Sequence, residues 1–200
     1  MCLAVVDMLL IKNRFELLAN ELLHEIFDYL PTVDILQVFN QLNSRFSRLL
    51  AQRMLKIDLS HLSKGQYEHV HKRLRWNRIH SLKVSQQWTV NVLSRVPFHA
   101  MSHLRTLILS HVPFNDLRAL FESRHFAAIQ RVNTLKILST QVGGLDAERI
   151  FVLEKLFCQM PELRRCHLPF IDANDFDDLA PTSSFEELTL DHCTLVCLGK

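Results

Sequence analysis

Glycine is scarce in this chain: Gly65, Gly143, Gly144 and Gly199 are the only four among 200 residues. With so few positions free of a Cβ the backbone has little room to wrap a nucleotide, and no glycine-rich phosphate loop occurs. There is also no nucleophile elbow and no His-Glu-x-x-His, the patterns that announce acyl transfer or zinc hydrolysis. Cysteine is sparse and odd in number. Cys2, Cys158, Cys166, Cys193 and Cys197 make no even disulfide framework, which suits a reducing compartment. Cys158, Cys166, His167, His192, Cys193 and Cys197 contain no Cys-x-x-Cys pair, so their spacing argues against a metal site. No run reaches the roughly 20 apolar residues of a membrane span. The opening MCLAVVDMLLIKN is apolar, but Asp7 interrupts it, Lys12 and Arg14 follow it instead of preceding it, and no small-residue cleavage site follows. The expectation is a soluble cytoplasmic or nuclear protein, without enzymatic chemistry, cofactor or metal, that carries a short N-terminal extension over residues 1–12.

What remains is ordinary globular material, 48% apolar and 22% charged, enough for one domain or a small module followed by a larger one. The net charge of +2 conceals an uneven distribution. Residues 1–52 carry four Lys/Arg against six Asp/Glu, residues 53–140 fourteen against four, and residues 141–200 five against eleven. A basic middle and an acidic end speak about partners and association, not fold.

The stretch from Phe15 to Leu50 predicts three short helices. Leu22, Ile26 and Leu30 recur at i, i+4 and i+8 with Leu23 and Phe27 beside them, and Pro31 stops the helix. Thr32 is placed to cap a second helix striped by Val33, Leu36 and Phe39, and Asn43 a third bearing Phe46, Leu49 and Leu50. A unit of roughly 40 residues has only a marginal private core, yet apolar residues lie on more than one side of each helix. The surplus suits a partner.

The order of residue types resembles the F-box, the helical module that docks a substrate receptor onto the Skp-family adaptor of cullin-based ubiquitin ligases. The family's opening Leu-Pro-x-Glu-Leu-Leu-x-x-Ile-Phe-x-Tyr-Leu is matched by Leu18, Glu21, Leu22, Leu23, Ile26, Phe27, Tyr29 and Leu30, followed by Asp34, Ile35 and Leu36, and later by Arg45 and Phe46. Ala19 stands where the family has proline and Phe46 where it has tryptophan, which implies looser docking. The resemblance implies an adaptor-binding set of Leu18, Glu21, Leu22, Ile26, Phe27, Leu30, Asp34, Leu36, Phe39, Arg45 and Phe46 within a module spanning residues 13–53.

Beyond Arg53 a spaced apolar triplet recurs: Met54, Ile57, Leu59; Ile79, Leu82, Val84; Leu104, Leu107, Leu109; Val132, Leu135, Ile137; Leu163, Cys166, Leu168; and Phe185, Leu188, Leu190. The intervals are 25, 25, 28, 31 and 22 residues. Helical spacing fills the returns, with Tyr67, Val70 and Leu74, then Phe114, Leu117, Leu120 and Phe121, then Ile150, Leu153, Phe157 and Met160, the last closed by Pro161. The fold class predicted for residues 54–200 is therefore α/β with a parallel sheet and right-handed crossovers. The period resembles leucine-rich repeats, a β/α solenoid of about six irregular units. The Asn or Cys those repeats carry three residues after the last strand leucine is replaced by Leu62, Gln87, Val112, Thr140 and Ile171, and only Cys193 fits. The triplets end near Leu195 to Leu198 with no polar cap in view, which leaves a folded-back tail, a longer array, or cover by another chain.

Alternation along each strand turns the residues between the buried ones to the opposite face. One row of that face reads Lys56, Ser81, Thr106, Thr134, Arg165, Glu187, the next Asp58, Lys83, Ile108, Lys136, His167, Thr189, and a third Ser60, Ser85, Ser110, Leu138, Pro169, Asp191. Lys83, Lys136 and Arg165, with His167 beside them, are the candidate client-binding set, suited to an acidic or phosphorylated segment. The run from His71 to Arg78 has the composition of a phosphate contact, and equally that of a helix end whose cations meet the dipole. Together the two resemblances imply a non-catalytic receptor: one end on the adaptor and, through it, the cullin scaffold, the other on an unidentified protein client. The alternative is a leucine-rich-repeat interaction module outside ubiquitin chemistry, its basic middle binding an acidic protein or nucleic acid.

Overall fold

The computed structural model describes residues 15–39, 42–85, 92–138, 146–168, 185–190 and 194–196. The chain divides into two compact units, Met1–Arg53 and Met54–Lys200. The extension over residues 1–12 and the positions Gln87, Thr140, Pro169, Ile171, Asp191, His192, Cys193 and Cys197 lie outside the described residues.

In the first unit the described residues form α1 (Asn20–Tyr29), α2 (Thr32–Val38) and α3 (Ser44–Gln52). Leu30 leaves α1 in an extended conformation, φ −100° and ψ 143°, as a residue before proline must when the ring crowds the helical region. The cap of α2 differs from the expectation: Pro31 holds the cap position and Thr32 is the first helical residue. Proline's fixed φ already suits the entrance to a helix, so the boundary falls one residue early. Asn43 does cap α3, its side chain accepting from the Phe46 backbone N–H at 3.0 Å. Phe15, Phe27, Phe39 and Phe46 meet at ring-centroid distances of 5.1 to 6.5 Å. Edge and tilted packing of four rings forms the centre of this unit, with Leu23, Val33, Ile35, Leu36, Leu49 and Leu50 buried around it.

The second unit is α/β. Its strands are β1 (Leu55–Asp58), β2 (Ile79–Ser85), β3 (Thr106–Ser110), β4 (Thr134–Leu138), β5 (Arg165–Leu168), β6 (Glu187–Leu190) and β7 (Thr194–Val196). They lie side by side in chain order; β1 to β6 are parallel, and β7 turns back antiparallel on β6. Of the returns, α4 (Lys64–His71), α5 (Phe114–Glu122) and α6 (Asp146–Gln159) are the substantial helices. Every second and third residue of the six triplets from Ile57 to Leu188 is buried. Because strand residues alternate between faces, one period places all of them beneath the sheet. Helix faces complete the core: Tyr67, Val70 and Leu74; Leu117, Leu120 and Phe121; Leu153, Phe157 and Met160.

Two details depart from the expectation. Ile150 is 56% exposed, and Val152 and Leu156 take its place in the buried stripe of α6. Ile150 sits at the margin of that stripe near the helix start, where a turn covers less of the core. Ser60, Ser85 and Ser110, expected on the open face, are buried. Ser85 and Ser110 are the last residues of β2 and β3, and Ser60 follows β1 by two residues. There Ser110 Oγ–H donates to the Val84 carbonyl of the neighbouring strand at 3.4 Å, and Ser60 bonds back to Asp58. The Ser110 hydroxyl takes up part of the polar work expected three residues after the last strand leucine, where Leu62 and Val112 are apolar and buried, whereas the buried Ser85 Oγ has no partner among the described residues.

Ala19 already has φ −60° and ψ 153°, the φ a proline ring would impose and a ψ it allows. Ala19→Pro is expected to raise the stability of the full chain by about 0.4–1 kcal/mol by restricting the unfolded state. Denaturant unfolding followed by helical circular dichroism measures it.

Candidate functional site

The eleven residues read from the sequence as adaptor-binding separate into two groups. Phe27, Leu36 and Phe46 are buried, and Phe39 packs among the rings; these build the first unit and offer it no outward surface. Leu22 (47% exposed) and Leu30 (39% exposed) are open to solvent, and Ile26, half-buried, lies between them at helical spacing. Two apolar stripes run down α1 about 100° apart. Leu23 and Phe27 face inward, while Leu22, Ile26 and Leu30 are left over. Leu17, Tyr29 and Val38 are also exposed, so the remaining apolar surface is a group, not a single side chain. Glu21 and Asp34 are exposed and Leu18 is half-buried.

Arg45 works inside the unit. Its guanidinium donates to the carbonyls of Glu16 and Leu18 and to Asn20 Oδ1, so α3 holds the segment that enters α1. Asn43 joins this clasp, donating from Nδ2 to Glu16 Oε1 at 2.8 Å. Arg53 does the same at the other end of α1, bonding the His24 carbonyl at 3.1 Å and pairing with Asp28. Guanidinium forks that satisfy backbone carbonyls hold a helix in place by hydrogen bonding.

On the second unit the register assembles the two expected rows. Lys56, Ser81, Thr106, Thr134, Arg165 and Glu187 are successive partners, and so are Asp58, Lys83, Ile108, Lys136, His167 and Thr189. The four client candidates are not equivalent. Lys83 Nζ–H donates to Asp58 Oδ2 at 2.9 Å, and Ile108 separates it from Lys136. Lys136, Arg165 and His167 line one hollow of about 150 Å³ together with Thr134, Glu187 and Thr189. Arg165 Nε stands 3.9 Å from Glu186 and 4.0 Å from Glu187, contacts long enough to leave its donors available. Lys136 has no carboxylate within ion-pair distance among the described residues. The hollow therefore combines cations, hydroxyls and an imidazole, a donor-rich setting for one carboxylate or phosphate group.

Burial pushes the Asp58 carboxyl up, but hydrogen bonds from Ser60 and Lys83 outweigh it and hold the group below its ordinary value. Burial pushes the Cys166 thiol far up, so it stays protonated and behaves as a small apolar core residue. Among the described residues no group of three or more His, Cys, Asp or Glu is placed to hold a metal ion. Also among the described residues, no helix is long and apolar enough to cross a membrane. On the helical side, a hollow of about 220 Å³ is lined by Leu93, Asp116, Ala119, Leu120, Ser123, Arg124 and His125.

In the run from His71 to Arg78 the aromatic is engaged: the Trp76 ring lies 5.1 Å from the His71 ring, and its Nε1–H donates to the His71 carbonyl at 3.3 Å. What the sequence reading missed is a row of cations flanking the first apolar residue of each repeat, Arg78, Arg105, Arg131 and Arg164. The signal was present as a periodic charge beside Ile79, Leu104, Val132 and Leu163.

Since Asp58 is held below the ordinary carboxyl value of 3.8, its contribution to stability is present above that pH and is lost as pH falls through the lowered value. The stability difference between the wild-type chain and Asp58→Asn should be constant near neutrality and shrink in acid. Denaturant titrations at several pH values read it, and a difference that grows in acid contradicts the assignment.

No family model, curated protein or solved structure matches the chain.

Proposed function

We propose that this chain is the substrate-recognition subunit of an SCF-type cullin-RING ubiquitin ligase. In this reading the first unit is an F-box that docks on a Skp-family adaptor. The second is a leucine-rich-repeat-like solenoid that holds a protein client. The observation that carries the reading is the row of exposed Leu22 and Leu30 with half-buried Ile26 between them, and exposed Leu17, Tyr29 and Val38, on a unit whose core is already filled by four phenylalanine rings. An apolar helix face with no further use inside its own unit suits a groove on another protein. The residue pattern from Leu18 to Phe46 supplies the identity of that partner by resemblance. The chain makes and breaks no bonds in this scheme; it raises the local concentration of client and activated ubiquitin on other subunits.

The client surface in this reading is the open face of the sheet, centred on Lys136, Arg165 and His167 around their hollow. Lys83, already paired with Asp58, contributes less. An anionic group on the client suits the donors there through charge-assisted hydrogen bonds.

Co-purification of the full chain with adaptor and cullin tests the docking. Leu22→Glu with Leu30→Glu is expected to abolish co-purification while the unfolding midpoint changes little, because both residues are exposed and neither belongs to the ring cluster. Phe27→Ala should instead cost about 3–5 kcal/mol of stability by opening a cavity among the rings. Undiminished co-purification of the Leu22→Glu, Leu30→Glu chain sinks the proposal and favours an interaction module outside ubiquitin chemistry.

A further inference from the structure

The N-terminal ends of the parallel strands carry a second charged surface, apart from the open face. The residue that follows the first apolar residue of each repeat lies beside its counterpart on the next strand. Arg105 N–H donates to the His80 carbonyl at 2.9 Å, Asn133 N–H to Arg105 O at 2.9 Å, Arg164 N–H to Asn133 O at 2.9 Å, and Glu186 N–H to Arg164 O at 2.8 Å. The residue that precedes the first apolar one is Arg78 before β2, His103 before β3, Arg131 before β4 and Glu162 before β5. The edge is therefore cationic from β2 to β4 and changes sign at β5 and β6.

This edge is held in place and its charge is unspent. Arg105 Nη1 donates to the Arg131 carbonyl at 3.1 Å and to its neighbour Leu104 O at 3.4 Å, which lays one guanidinium along the rim and leaves other N–H donors free. Arg75 and Arg78 belong to the tight turn that enters β2, where Arg78 N–H donates to Arg75 O at 2.8 Å. Arg75 and Arg131 are exposed and Arg78 and Arg105 half-buried. Among the described residues none of the four has a carboxylate within ion-pair distance. By contrast Arg164, the next along, is neutralised by Glu186 at 2.8 Å.

From these positions we infer that the strand-entry rim formed by Arg75, Arg78, Arg105 and Arg131 binds a short acidic segment of another protein. Length decides between an acidic peptide and a nucleic acid. Neighbouring strands are about 4.8 Å apart, so the cationic stretch from β2 to β4 spans about 10 Å, which three or four residues of extended peptide cover at about 3.3 Å each. A single-stranded nucleic acid site runs to roughly 4–16 nucleotides and uses aromatic faces for stacking. Here Glu162, before β5, ends the run of cations, and Trp76 is packed on His71. Guanidinium forks also match carboxylates two bonds at a time. This inference stands whether or not the first unit docks an adaptor.

Fluorescence anisotropy of a dye-labelled hexaglutamate peptide with the full chain tests it. The peptide is expected to bind, more weakly as salt rises past about 0.15 M. Arg75→Glu, Arg78→Glu and Arg131→Glu together should weaken binding at least about tenfold, since three attractive charges become repulsive. Arg118→Glu, on the helical side and already paired with Glu122, should leave it within about twofold. If circular dichroism shows that the charge-reversed chain does not fold, the same three positions changed to Gln serve, with the same direction expected. Absence of peptide binding, or binding that neither triple variant weakens, overturns the inference. So does a single-stranded oligonucleotide of equal charge that binds more tightly than the peptide and is lost in the same variants, which assigns the rim to nucleic acid.

Discussion

A β-strand shows its side chains to two faces in strict alternation, and six parallel strands of the second unit are stacked in one register under that rule. Every structural feature of the unit follows from which residues the alternation sends down. Ile57, Leu82, Leu107, Leu135, Cys166 and Leu188 form one buried row, and shifting any strand by one residue would exchange that row for Lys, Thr, His and Arg. Burying such a set of charges unpaired is far costlier than any surface contact the strands make. The register is therefore fixed by the core, and the open rows that carry Lys136, Arg165 and His167 are its consequence. Function on this unit is chemistry written on the residues the core does not need.

The first unit lives under a different constraint, size. Its three described helices enclose one aromatic cluster and little more, and α1 carries two apolar stripes where the cluster accommodates one. Arg45 and Arg53 clasp the two ends of α1 by bonds to its backbone or flanking carbonyls, so the helix is held at its termini as well as by Leu23 and Phe27. A helix held in this way presents its outer stripe at little ordering cost on binding, which favours affinity.

How much could be read from the residues alone depended on whether position or neighbourhood decided the outcome. The strands, their parallel order and the two open rows were legible, because a triplet repeated six times leaves the register little freedom. The class and sheet needed no contact information. The face of α1 was less legible: stripes beginning at Leu22 and Leu23 have the same periodicity, and only the rings of Phe15, Phe39 and Phe46 choose between them. Phe27, Leu36 and Phe46 were read as contacts for a partner and proved to be interior. Ser60, Ser85 and Ser110, at or just past the strand ends, were expected on the open face but are buried, and Ile150 fell outside a stripe that Val152 and Leu156 complete. Arg45 was read as adaptor-binding from the resemblance, whereas its hydrogen bonds serve the entrance to α1. Arg75 and Arg78 apart, the cations of the strand-entry rim lie 26 or more residues from one another in sequence and become neighbours only through the sheet.

The central claim is that the outer stripe of α1 exists to be covered. Hydrogen–deuterium exchange of the full chain, alone and with a purified Skp-family adaptor, tests it most directly. The account predicts slowed amide exchange over Asn20–Tyr29 and Thr32–Val38, with the strands of the second unit unchanged. Identical exchange with and without adaptor, or protection appearing only on the sheet, would contradict it.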